Sequence, residues 1–220
     1  MRLRALLKKL PIERFRNPPP VVAVVPLSGI IGRAGGLQRS LSLRSLAGTL
    51  KRAFDLEDAK AVAIIVNSPG GAPVQSALIA GRIRALAAEK KRPVYAFAED
   101  VAASGGYWLL TAGDELYADE SSIIGSIGVV AGSFGFPEAL QRLGIERRLY
   151  TAGTHKAALD PFSPEKPEEV RHLYALLAET HEAFRRHVEE RRAGKLQGDP
   201  EELFSGRFWT GRSALRLGLI

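Results

Sequence analysis

Ala61–Val66 is an unbroken run of Ala, Val and Ile that ends in Asn67-Ser68-Pro69-Gly70-Gly71. A short apolar run with no polar alternation, stopped by turn residues, reads as a strand buried on both faces. Such a strand needs a covering layer on each side of its sheet, so the segments around it decide the fold.

Those segments alternate. Val21–Val25 and Val94–Ala98 read as strands, and Leu41–Phe54 reads as a helix with Leu43, Leu46, Leu50 and Phe54 on one face. Val74–Ala88 has helical spacing, Gly105–Ala112 predicts a short helix, and Glu115–Ala118 a short strand. Ile123–Val130 is an apolar stretch broken by Gly125 and Gly128, and Arg147–Tyr150 reads as a further strand.

Pro137 opens a helix through Leu143, as proline does at a first helical position. Ser163-Pro164 caps a long helix to about Arg192, with Val170, Leu173, Tyr174, Leu177, Phe184 and Val188 on its apolar face. Repeated strand–helix–strand units predict an α/β fold, a mainly parallel sheet with flanking helices built from ββα and βα units.

At 220 residues the chain suits one α/β domain over 21–220, preceded by a basic arm and Pro-rich linker over 1–20. The absence of cysteine excludes disulfides, thiolate metal sites and a cysteine nucleophile. The net charge of +7 is concentrated at the N-terminus. Arg2, Arg4, Lys8, Lys9, Arg14 and Arg16 stand against Glu13 alone, and the remainder is nearly neutral. The high pI therefore reports an arm rather than a nucleic-acid-binding surface.

Within Met1–Arg16, Leu3, Leu6, Leu7 and Leu10 recur at helical spacing, which fits either a peripheral membrane contact or a solvated terminus. No run approaches the ~18 apolar residues that span a bilayer. A secretory signal is poorly supported as well, so the expected location is cytoplasmic or peripheral at a membrane surface. The chain stops at Gly218-Leu219-Ile220 directly after a helical pattern, which leaves a further C-terminal tail open.

Open parallel sheets place their sites at the carboxyl ends of strands. After Ala61–Val66, the Gly70-Gly71 pair can turn backbone N–H groups toward a ligand. After Val94–Ala98 comes Ser104, at a helix start where developing negative charge is favoured. Taken alone, Ser104 reads equally as a helix cap and Ser-Pro-Gly-Gly as an ordinary turn.

A proton acceptor for Ser104 is best found in Lys156, within Gly153-Thr154-His155-Lys156. A lysine base must shed its proton, so its surroundings must exclude water. His155 neighbours Lys156 and would point away from it on an extended strand, while His172, His181 and His187 fall on the long helix. A Ser-His-Asp triad is therefore poorly supported. Ser126, in Gly125-Ser126-Ile127-Gly128, reads either as a hydroxyl that orients the lysine or as a small residue in a tight strand.

Asn67-Ser68-Pro69-Gly70-Gly71, Ala102 to Trp108, Ile124 to Val129, Gly153 to Lys156 and Phe204 to Gly211 occur in an order that resembles the signal peptide peptidase A family. The resemblance implies a Ser/Lys-dyad serine protease on a Clp protease/crotonase-like fold, with no cofactor and no metal. It implies Ser104 as nucleophile, Lys156 as general base, Ser126 as the lysine-positioning hydroxyl, and Gly71 and Gly105 as oxyanion donors. It also implies a homo-oligomeric ring with sites shared between protomers, polypeptide substrates, and an apolar groove for which Ile124, Ile127 and Val129 are candidate lining, although the same three residues read equally as core. Family members cleave signal-peptide remnants and other hydrophobic or unfolded polypeptides. The competing readings are a crotonase-type acyl-CoA enzyme and a catalytically silent ring-forming scaffold.

Overall fold

The computed structural model describes residues 19–32 and 40–220. The basic arm, apart from its last two prolines, lies outside the described residues.

Strand β1 (Val21–Ser28) leads to helix α1 (Leu43–Asp55), then β2 (Ala59–Ser68), α2 (Pro73–Lys90), β3 (Val94–Ala103) and α3 (Gly105–Leu110). Two short strands follow, β4 (Glu115–Ala118) and β5 (Ile123–Gly125). Beyond them lie α4 (Pro137–Arg142), α5 (Pro167–Arg191), α6 (Pro200–Leu203), β6 (Phe208–Thr210) and α7 (Gly211–Arg216).

The sheet runs β1-β2-β3-β5-β6, with β4 also on β3. Every pairing is parallel except β5 with β6. One edge of β3 serves two partners in turn: Tyr95–Ala98 pairs with β4, and Val101–Ala103 with β5. The predicted mixed α/β architecture with a mainly parallel sheet is the one observed.

Local sequence explains the elements. Ser42 caps α1 reciprocally with Ser45, and Leu46, Leu50 and Phe54 are the buried positions of that helix. Lys91 adopts a left-handed conformation that closes α2. In β2, Val62, Ile64 and Val66 are fully buried and Ala61 and Ala63 nearly so, while Ile65 is only half-buried. A single buried cluster joins Val62, Ile64 and Val66 to α1, α2, α3 and the C-terminal half of α5. The Tyr107 hydroxyl, buried with its ring, donates to the Leu219 carbonyl at 2.7 Å and ties α3 to the chain's last turn.

Two expectations, for Arg147–Tyr150 and for the start of the long helix, need correction. Arg147–Tyr150 is not a strand: among the described residues no backbone pairs with it, and Arg147 instead makes two hydrogen bonds to Asp160 at 2.9 and 3.0 Å. The Ile123–Val130 stretch, read as broken at Gly125, forms a strand up to that residue, where Gly125 (φ 109) and Ser126 (φ 52) turn the backbone out of the extended region. Helix α5 starts at Pro167, since the Ser163 hydroxyl is taken by Asp160 in the preceding turn.

The apolar face expected for α5 is buried only at its C-terminal end, at Phe184 and Val188. Tyr174 is 68% exposed, and Val170, Leu173 and Leu177 of the expected face are only half-buried.

Candidate active site

At the carboxyl ends of β2 and β3 lies a cavity of about 560 Å³, and Ser104 is on its wall. Ser104 stands at the start of α3 but its side chain makes no capping bond, which removes the structural reading of that hydroxyl. Its backbone has φ 51 and ψ −125, a conformation that costs a non-glycine residue on the order of 1–3 kcal/mol. Its neighbours enforce it: the Ser104 N–H donates to the Gly125 carbonyl at 2.8 Å, and the Ser104 carbonyl accepts from the Trp108 N–H at 3.1 Å. A sharp strand-to-helix turn of this kind presents a serine hydroxyl to a ligand.

Gly71 and Gly105 line the same cavity. The Ile31 N–H donates to the Gly70 carbonyl and the Ala72 N–H to the Ile31 carbonyl, both at 2.9 Å. Those bonds use the Ile31 side of the strand, so the N–H of Gly71 points the other way. Gly105 opens α3, so its N–H lacks an acceptor within its own helix. Two backbone donors thus accompany the Ser104 hydroxyl, as oxyanion stabilisation requires.

The glycines also permit the close approach that builds the site. A Cβ on Gly71 would stand 2.0 Å from the Ile31 carbonyl oxygen, and one on Gly106 would stand 2.2 Å from that of Ser68.

Ser126 lines the cavity too, and like Ser104 it is a non-glycine residue at positive φ. Its N–H donates to the Arg207 carbonyl at 2.6 Å, which carries the 205–207 turn to the cavity rim. The structure therefore brings Ser104, Gly71, Gly105 and Ser126 together.

Lys156 is placed elsewhere. It is exposed and is not part of the cavity wall. Its loop is tied to the first turn of α5, where the Leu159 N–H donates to Glu169 at 2.9 Å. At 1.5 Å rise per residue, Glu169 lies roughly 16 Å along the helix axis from Thr180, the nearest α5 residue on the Ser104 cavity wall.

The groove assignment changes in two places. Ile124 and Ile127 are fully buried in the core, whereas Val129 lines the cavity as expected. The sequence reading also missed Trp108, Thr180, Phe184 and Ser205 as lining residues. Trp108 lies one helical turn after Ser104, a spacing that could have flagged it. Its ring stacks on Phe184 at 4.7 Å and on His187 at 5.0 Å, forming an apolar wall.

His187 is bonded to the Thr111 hydroxyl at 2.9 Å, and burial pulls its pKa down to about 4. His181 meets the Ile127 carbonyl at 3.1 Å. Neither histidine lines the cavity beside Ser104.

The frame is thus an α/β sheet presenting a strained serine beside two backbone donors, a geometry suited to nucleophilic acyl transfer. The chain belongs to peptidase family S49, whose model matches residues 86–220. It is 32% identical over 209 residues to Protease 4 of Haemophilus influenzae, covering 93% of this chain and 33% of that protein. It is 30% identical over 204 residues to the chloroplastic serine protease SPPA of Arabidopsis thaliana, covering 90% of this chain and 30% of that protein.

A Brucella melitensis protein named Na(+)/H(+) antiporter NhaA is 58% identical over 219 residues, covering 99% of this chain and 30% of the relative. The chain therefore spans about a third or less of these relatives' lengths. Among the described residues, no helix is long and apolar enough to cross a membrane.

Proposed function

We propose that the chain is a serine endopeptidase in which Ser104 of one copy is activated by Lys156 of a neighbouring copy. The observation that carries this is the separation of the two residues: Ser104 sits in a built cavity with its donors, while Lys156 stands exposed on a distant loop. Membership of family S49 supports the peptidase class.

In this reading the neighbour's Lys156 amine takes the Ser104 proton as Oγ attacks the scissile carbonyl. The Gly71 and Gly105 N–H groups hold the oxyanion, and the lysine then protonates the departing amine. Water releases the acyl group by the same steps in reverse. Ser126 orients the incoming amine. Covering Lys156 at a subunit contact supplies the exclusion of water that a neutral lysine needs.

Large apolar side chains left in solvent support assembly. Val130, Phe134, Tyr150 and Tyr174 are each at least 68% exposed, and burying them against a neighbouring copy would be favourable. The apolar wall of Trp108, Val129 and Phe184 favours hydrophobic or unfolded polypeptides, signal-peptide remnants among them.

The test is reaction with a serine-directed fluorophosphonate, read in the parent chain, in Ser104→Ala and in Lys156→Ala. Labelling should occur at Ser104 and fall sharply in both variants. Undiminished labelling in Lys156→Ala removes the lysine base, and no labelling of the parent chain favours an acyl-CoA enzyme or a silent scaffold. Mixing Ser104→Ala with Lys156→Ala chains should restore part of the activity. A verified mixed assembly that stays inactive overturns the shared site.

A further inference from the structure

Among the described residues, Glu169 and Arg192 are the two buried charged side chains. Glu169 is the third residue of α5, a position where an acidic side chain ordinarily stabilises its own helix terminus. In a capping box it would accept from the backbone N–H of the N-cap, here Lys166. Instead its Oε2 accepts the Leu159 N–H, ten residues back, and its Oε1 accepts from the Lys166 ammonium at 3.1 Å.

The residue so held is strained. Leu159 has φ 58, a left-handed conformation in which a branched aliphatic residue persists only when its surroundings impose it. Leu159 closes the turn that carries Lys156, in which the Lys156 N–H donates to the Gly153 carbonyl and the Ala158 N–H to the His155 carbonyl, both at 3.2 Å. On the other side of the same turn, Asp160 is held by Arg147 and by the Ser163 hydroxyl. The carboxylate of Glu169 is drawn below its ordinary pKa, first by the Leu159 N–H and then by Lys166, with His155 contributing. Those contacts favour its charged form.

We infer that Glu169 is the positioning residue for Lys156: its buried carboxylate fixes the 153–160 turn so that the amine is presented at one place on the subunit surface. The inference rests on the Ser/Lys reading of the site. A lysine delivered to another copy's serine must arrive with its backbone already placed, because a displacement of 1 Å costs about 100-fold in rate.

The test uses the full chain, with unfolded casein as substrate and the rate of fluorophosphonate labelling of Ser104 as a second readout. Glu169→Ala should lower kcat about 10- to 100-fold with KM changed less than about two-fold. Glu169→Gln, which keeps an oxygen for the Leu159 N–H, should recover most of that loss. In a Lys156→Ala background Glu169→Ala should slow labelling no further, because its effect passes through the lysine.

Full activity in Glu169→Ala, equal impairment in Glu169→Gln, or additive loss in the double variant overturns the inference. If Glu169→Ala melts below the assay temperature, Glu169→Asp carries the same comparison, since it withdraws the oxygen from Leu159 by one methylene. A kcat for Glu169→Asp equal to that of the parent chain again overturns the inference. Full labelling in Lys156→Ala alone is a separate result that removes the dyad itself.

Discussion

The Ser104 N–H donates to the Gly125 carbonyl at 2.8 Å, so the candidate nucleophile is fixed to the residue immediately before Ser126. Both serines have positive φ, and the one hydrogen bond couples their placements. The strain on each is held by β5, which pairs with β3 on one side and β6 on the other.

Strain at Ser104 separates stability from activity. Ser104→Ala keeps a Cβ at φ 51 and retains the cost, whereas Ser104→Gly relieves it. Both variants should lose activity by at least about 1,000-fold. Ser104→Gly should nevertheless be more stable than Ser104→Ala by about 1 kcal/mol in urea unfolding. Equal midpoints would show that the turn is unstrained.

Two glycines should respond oppositely to alanine. At Gly71 a Cβ meets the Ile31 backbone at 2.0 Å, with φ 143, so Gly71→Ala should lose about 3 kcal/mol or more together with activity. Gly81 lies within α2 with nothing within 4 Å of an added Cβ, and Gly81→Ala should gain about 0.5–1 kcal/mol at unchanged activity. Thermal melts of the two variants should shift in opposite directions.

His187 sets an acid limit on stability. Its pKa is 6.5 when unperturbed and about 4 when buried against Trp108, Thr111 and Arg191, so between those values the unfolded chain binds a proton that the folded chain refuses. Folding stability is therefore complete above pH 6.5 and falls as the pH drops toward 4, by about 3 kcal/mol in all. His187→Gln should flatten that slope between pH 6.5 and 4.5, measured by urea unfolding at each pH. Parallel curves for variant and parent would mean that the burial of His187 carries no such cost.

Much of the fold was legible because its signals are local. The apolar run of β2, the i, i+4 spacing of Leu46, Leu50 and Phe54, and the glycine pair after β2 each report an element or its end within a few residues. Arg147–Tyr150 was misread because an extended, mixed segment becomes a strand only if a neighbouring backbone offers hydrogen bonds.

At the site, strand ends and turn residues marked Ser104 and the Gly70-Gly71 pair, whereas Gly105 and the choice of Gly71 and Ser126 came from the family resemblance. All four of Ser104, Gly71, Gly105 and Ser126 line one cavity. The tertiary structure decided which apolar residues form the wall. Strand alternation predicts facing only while the backbone stays extended, and the positive φ of Gly125 and Ser126 breaks it, leaving Ile124 and Ile127 in the core and Val129 on the cavity. It likewise placed Lys156 at the far end of α5 from Ser104, because the reach of a 25-residue helix is a property of packing in space that residue spacing does not carry.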